Sequence, residues 1–249
     1  MAYRIFLAGA AGAIGRRLTP LLCEAGHTVF GTTRSPAKAD ELRALGAEPV
    51  LVDVFDAHEL AAAVAAARPE IVIHQLTDLP RGLDPAQMEQ AVRRNAHLRS
   101  EGTRHLVDAA IAAGARRLVA QSIAWAYAPG PEPHAESDAL DVDASGIRAV
   151  SVDGIVALER AVLESPPLEG IVLRYGQLFG PGTGTDAPAG SAPLHVDAAA
   201  HAALLAIDRG GTGVYNIAGP NAYVATGKAR AVLGWNADLR PPADRAANA

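Results

Sequence analysis

Three glycines, Gly9, Gly12 and Gly15, stand between a short apolar run, Arg4–Ala8, and an amphipathic stretch that begins at Ile14. At that spacing each does a different job. Gly9 can take the backbone angles of a tight turn, Gly12 lets the chain approach a pyrophosphate without a Cβ in the way, and Gly15 permits close helix–strand packing. Phosphates would lie at the positive end of the following helix, with Ala11, Ala13 and Ile14 completing the loop. The segment Gly9–Gly15 therefore reads as a dinucleotide-binding loop, because a strand precedes it and a helix follows.

The end of the second strand selects the dinucleotide. A carboxylate there suits the free ribose of NAD(H), and an arginine suits the 2′-phosphate of NADP(H). The sequence is Gly31-Thr32-Thr33-Arg34-Ser35, with no acid. Arg34 is planar, permanently charged and able to grip a phosphate with two donors, and the hydroxyls of Thr33 and Ser35 can assist. NADP(H) is expected over NAD(H).

The elements that must position these groups follow from the rest of the chain. Its 249 residues are 49% hydrophobic and 20% charged with a net charge of −5, an ordinary globular composition without the basic excess that nucleic acid or an anionic membrane surface would call for. Short apolar runs alternate with helical patterns, which argues for βαβ units. Strands are expected at Arg4–Ala8, Thr28–Thr32, Glu48–Val52, Ile71–His74, Arg117–Gln121, Gly170–Tyr175 and Val214–Ile217. Helices are expected at Ile14–Ala25, Pro36–Leu45, Ala57–Ala67, Pro85–Ala113, Ala149–Glu164 and Val196–Asp208, the long fourth one interrupted at Glu101-Gly102-Thr103. Asp56 and Asp84 are expected as N-caps, and Gly26, Gly46 and Gly114 as left-handed C-caps.

The fold class is thus α/β, a doubly wound Rossmann sheet of seven mostly parallel strands with helices on both faces. One domain is expected over 1–249, with a trimmed C-terminal lobe at about 176–195 and 218–249. The stretches Pro129–Ser145 and Gly180–Pro193 read as irregular. No leader and no membrane span are visible, and a cytoplasmic location is expected. Cys23 cannot form an internal disulfide and reads as a small buried apolar residue. No metal site is expected.

These residues resemble the extended and atypical short-chain dehydrogenase/reductases, the epimerase/dehydratase-like group, from residue 3 to about 235. Val52-Asp53-Val54 resembles the segment whose Asp hydrogen-bonds adenine, Ile73-His74-Gln75-Leu76-Thr77 the segment beside the adenine ribose, and Asn95 the asparagine of the long helix. Gln121-Ser122-Ile123 resembles the fifth strand with its active-site serine, and Leu173–Gly182, which includes Tyr175 and Gln177, the strand and loop beside the nicotinamide. The resemblance implies that Asp53, Val54, Leu76, Thr77, Asn95, Gln121, Tyr175 and Gln177 contact cofactor. His195 and Asp197, at a helix start, are read as structural.

The resemblance breaks at the family's Tyr-x-x-x-Lys pair, in which the lysine lowers the phenol's pKa. Ser151 and Ile155 occupy those places. The chain's two lysines are Lys38 and Lys228, and no tyrosine has a lysine four residues later. Ser122 remains as a catalytic candidate, joined by Tyr127 on the loop that leaves the fifth strand. One reading is an NADP(H)-dependent oxidoreductase of a small conjugated carbonyl compound, whose product anion needs little acid catalysis. The other is a non-catalytic NAD(P)-binding redox sensor. Sugar-nucleotide epimerisation ranks last, because it needs the missing pair. A small-molecule partner is expected, and a homodimer through the long helix and the Ser151 helix remains open, carried by Val92, Ile111, Val152 and Val156.

Overall fold

The structure, a computed structural model, describes residues 1–80 and 84–240. Residues 241–249, the end of the expected C-terminal lobe, lie outside the described residues. The main strands are β1 (Arg4–Ala8), β2 (Thr28–Thr33), β3 (Glu48–Leu51), β4 (Ile71–His74), β5 (Arg117–Ile123), β6 (Glu169–Tyr175) and, after the short β7 (Gln177–Phe179) and β8 (Pro193–His195), β9 (Gly213–Ile217). They form a seven-stranded sheet in the order β3-β2-β1-β4-β5-β6-β9. Every pairing is parallel. Chain order reverses between β1 and β4, and a crevice opens there beyond the carboxyl ends of the strands.

Strand residues alternate between two cores, as period-two side chains in a sheet covered on both faces must. Ile5, Leu7, Ile71, Ile73, Val119, Ile171 and Leu173 enter the core beneath α1 (Ala13–Glu24) and α7 (Val196–Leu205). Phe6, Ala8, Val72, Leu118, Ala120 and Val172 enter the opposite one, beneath α3 (Ala57–Ala67) and α5 (Thr103–Ala112). The short α2 (Ala39–Ala44) follows a 3₁₀ turn at Pro36–Lys38. The Asp56 and Asp84 side chains cap their helices as expected. Gly26, Gly46 and Gly114 take positive φ as expected.

The long fourth helix is divided. α4 (Pro85–His97) and α5 are joined by a π-helical turn, Leu98–Gly102, with the expected interruption at its end. Gly102 lies there because a Cβ would come within 3.1 Å of Val54. α4 packs against α6 (Gly146–Leu163), where Gly154 lets the two backbones approach: a Cβ would stand 2.7 Å from the Ala96 Cα. Of the apolar residues considered for a second copy, Val152 is buried, Val92 and Val156 are half-buried and Ile111 is exposed.

The C-terminal lobe is small but packed. β7 and β8 pair in parallel at the two ends of the Gly180–Pro193 stretch read as irregular; at three residues each they are too short to show a period. Ala124, Tyr127, Ala192, Ala218 and Val224 form a separate apolar cluster. The irregular Pro129–Ser145 segment is tied down through backbone bonds between His134, Tyr223 and Ala225. Among the described residues no helix is long and apolar enough to cross a membrane, and no group of residues is arranged to hold a metal ion.

Candidate active site

Gly9 turns with φ +90°, and a Cβ there would sit 2.6 Å from the Gln75 carbonyl oxygen. Its N–H donates to the Thr32 hydroxyl at 3.1 Å, which pins the turn to β2. Gly15 is equally constrained, since a Cβ would stand 2.3 Å from the Gly9 carbonyl oxygen. Gly12 caps α1 in extended backbone with no side-chain acceptor, and the first turn carries no acid. The helix therefore presents unclaimed N–H donors and its positive end to the crevice.

The crevice has a volume of about 430 Å³, within the range of small-ligand sites. Its lining includes Gly9, Ala11, Gly12, Thr33, Arg34, Asp53, Val54, Leu76 and Thr77 from the sequence-derived set. Arg34 reaches it from the end of β2, 63% exposed and 4.0 Å from Asp53. Such an open pair binds weakly, so the guanidinium is available to another anion. The turn beneath it is fixed by Ser35 N–H donating to the Thr33 hydroxyl at 3.1 Å.

Lys38, Phe55, Asp78, Arg94 and His97 also line the crevice and were not singled out from sequence. Lys38 had a visible signal, lying four residues after Arg34. The others come from elements distant in the chain, and no local pattern marks them. Phe55 and His97 stack at 4.6 Å between ring centres, a flat apolar wall suited to a base.

The remaining cofactor candidates sit behind this surface. Ile14 is buried in the core. Ala13 opens α1, close to Gly182 of the loop after β7. The Asn95 side chain holds the loop after β4, accepting from Asp78 N–H and donating to its carbonyl, both at 2.9 Å. Gln121 is half-buried on β5. Tyr175 is buried, donates to the Ala199 carbonyl at 3.2 Å, and has its phenol pushed well above the ordinary range by burial. Gln177 accepts from Ala192 N–H at 3.0 Å and braces the β7–β8 pair. His195 caps α7, its Nδ1 accepting from Asp197 N–H at 3.2 Å.

One polar atom in the crevice lacks a partner. Gln75 Nε2 donates to the Tyr175 hydroxyl at 3.5 Å, but Gln75 Oε1 is buried and unpaired at the β1–β4 switch point. A buried acceptor left so needs a donor, and a ribose hydroxyl would supply one. The uncapped helix and the orphaned Gln75 Oε1 together fit a dinucleotide.

Ser122 and Tyr127 lie in a buried polar network beyond the crevice. The Ser122 hydroxyl donates to Glu159 Oε1 at 2.7 Å, and Arg174 grips the same carboxylate with two nitrogens, at 2.8 and 2.6 Å. Tyr127 donates to Asn216 Oδ1 at 2.7 Å beneath the Arg174 guanidinium and stacks on His134. Burial pushes its phenol up from the ordinary value, with Arg174 opposing. Ile155 is fully buried against Ile123 and Ala126. His74 is structural: Nδ1 accepts from Leu76 N–H at 3.2 Å and Nε2 faces the Thr103 hydroxyl at 3.0 Å. Burial lowers its pKa to about 4.

Comparison with known proteins bears on this arrangement. Residues 9–187 match a family described as NAD(P)H-binding. The 3-diazoavenalumate denitrifying reductase of a Streptomyces species is 42% identical over 235 residues, covering 86% of this chain and 75% of that protein. The fold is shared with UDP-glucose 4-epimerase of Thermotoga maritima, at TM-score 0.77 and 19% identity over 96% of this chain and 94% of that one. It is also shared with the Bifidobacterium longum UDP-glucose 4-epimerase solved with NAD+ and UDP, at TM-score 0.74 and 16% identity over the same shares, 96% and 94%.

Proposed function

The chain belongs to the NAD(P)H-binding family, as an epimerase/dehydratase-like short-chain dehydrogenase/reductase without the Tyr-x-x-x-Lys pair, and we propose that it is an NADPH-dependent reductase of a small conjugated acceptor that takes a hydride without a protein acid, any proton needed afterwards coming from water. The observation that carries this is the state of the proton machinery. The lysine position is Ile155, sealed in an apolar cluster, and the Ser122 and Tyr127 hydroxyls already donate to internal acceptors. A plain ketone would demand an acid here; a conjugated acceptor whose charge is delocalised would not.

NADPH, when bound, supplies the hydride and is left as NADP+. The glycine loop and the start of α1 would hold its pyrophosphate, Arg34 and Lys38 its 2′-phosphate, and Gln75 Oε1 a ribose hydroxyl. Ser122 and Tyr127 then act as positioning residues, fixing β5 and the loop after it through Glu159, Arg174 and Asn216.

The Streptomyces relative's name supports a specific acceptor class, an aromatic diazo compound. In its arene diazonium form the nitrogen-bearing carbon would take the hydride, its carbon–nitrogen bond would break, and dinitrogen would leave with the bonding pair, so that a cation and a hydride give a neutral arene and N2. Charge and atoms balance without an acid, which suits a crevice where none is poised. The test is anaerobic NADPH oxidation with an arene diazonium salt, a quinone, a conjugated enone and a saturated ketone, using NADPH deuterated at nicotinamide C4. Deuterium in the dediazotised arene or reduced enone, with the saturated ketone inert, is expected. Rapid reduction of the saturated ketone would refute the reading without a protein acid. NADPH binding with no acceptor reduced would instead favour a dinucleotide-responsive sensor.

A further inference from the structure

Arg99 is absorbed by none of the roles above. It lies in the π-helical turn Leu98–Gly102. Asn95 and Thr103, four residues to either side, both face the carboxyl end of β4: Asn95 bonds the Asp78 backbone and Thr103 meets the His74 ring. Arg99 lies between them in the chain, and its charge is felt at the buried His74 ring at the end of β4. The neighbouring Leu98 lines the crevice. α6, which carries Ser151 and Ile155, packs close by through the Gly154–Ala96 approach. A π turn inside an α-helix re-aims the side chains around it and recurs at functional sites.

The guanidinium is desolvated enough that burial alone lowers its pKa to about 10. It remains fully charged at neutral pH. Yet no hydrogen bond or ion pair joins it to any described residue. The buried arginines Arg174 and Arg117, both less exposed than the half-buried Arg99, are satisfied: Arg174 by Glu159, and Arg117 by Glu169 and three carbonyls. None of the Arg99 nitrogens is sealed from solvent without a partner; among the described residues that condition is met by Gln75 Oε1 and Asp197 Oδ1. An accessible, partly desolvated cation with five donors and no anion is costly to maintain unless something else pairs with it.

We propose that Arg99 is a specificity-determining residue that binds a carboxylate of the substrate, so that the acceptor is a conjugated acid anion rather than a neutral compound. This rests on the reading of the crevice as a hydride-transfer site. A bidentate carboxylate satisfies the guanidinium and sets the conjugated system across the β4 end, near the place where relatives keep a lysine. The cation that the sequence lacks on α6 is supplied, for a different purpose, from the π turn.

The test is calorimetric binding of 4-hydroxycinnamate and its methyl ester to the NADP+-saturated protein, for the wild type, Arg99→Lys and Arg99→Gln. The wild type is expected to bind the acid about tenfold or more tightly than the ester. Arg99→Gln should abolish that preference, Arg99→Lys should keep part of it, and NADP+ affinity should change by less than about twofold. Arg99→Gln should also melt at least as high as the wild type, because an unpaired desolvated charge has been removed. Equal loss of acid and ester, a fall in NADP+ affinity in place of the acid preference, or an unfolded Arg99→Gln would each overturn the inference. Binding is read without turnover, so failure of the reductase assay leaves this result standing, and the reverse.

Discussion

Replacing Arg34 with alanine is the most direct perturbation of cofactor selectivity. The side chain is 63% exposed, and its sole ion-pair partner among the described residues is Asp53 at 4.0 Å. Removing it should therefore leave the fold intact, with a stability change within about 0.5 kcal/mol. A charge-assisted contact to a phosphate is worth about 1.5–3 kcal/mol in a protected site. At this exposure, screening brings the expectation down to about 1–2 kcal/mol. That corresponds to roughly five- to thirtyfold weaker NADP+ binding. Lys38→Ala should add a smaller effect of about 0.5 kcal/mol, because a flexible ammonium makes a point contact rather than a fork. Calorimetry with NADP+ and NAD+ at two salt concentrations separates the terms. NAD+ affinity should stay within about twofold in both variants, and the NADP+ preference should shrink as salt rises. Equal weakening of both dinucleotides, or a wild type that prefers NAD+, would refute the assignment of these cations to a 2′-phosphate.

Three further outcomes follow from the same geometry. Gly9→Ala must place a Cβ against the Gln75 backbone at positive φ, so it should lose about 2 kcal/mol or more in denaturant titration together with dinucleotide binding; a stable variant that still binds would show that the turn tolerates other angles. Tyr127→Phe removes the bond to Asn216 and should lower stability by about 1 kcal/mol while leaving kcat/KM for a diazo or enone acceptor within about threefold; a hundredfold loss would make Tyr127 the proton donor. His74 has a pKa of about 4 in the fold against the ordinary 6.5, so the unfolded chain binds the extra proton between those values. Its contribution is fully present above pH 6.5 and is lost as pH falls toward 4, about 3 kcal/mol in total. Melting temperatures from pH 7.5 to 4.5 should fall more steeply for the wild type than for His74→Gln, and parallel slopes would count against a buried neutral imidazole.

What the sequence determined by itself is local. The glycine spacing, the apolar runs and the caps at Asp56 and Asp84 act over a few residues, where backbone sterics and side-chain period leave few options. The parallel order around β1 and β4 follows because right-handed βαβ crossovers admit few arrangements. Arg34 could be read because its place at the end of β2 is set by two adjacent elements. Tertiary packing alone decided where the hydroxyls and cations point. Ser122 bonds Glu159 across 37 residues, and Tyr127 bonds Asn216 across 89, pairings that no window of sequence contains. Arg99 looks, in sequence, like one more arginine on a polar helix beside Arg93, Arg94 and Arg104. The π turn, and the packing of Gly102 on Val54 and of Gly154 on Ala96, turn that stretch over the end of β4. A charge's partners, or its lack of them, depend on which elements the fold brings together, and that is a property of the three-dimensional structure.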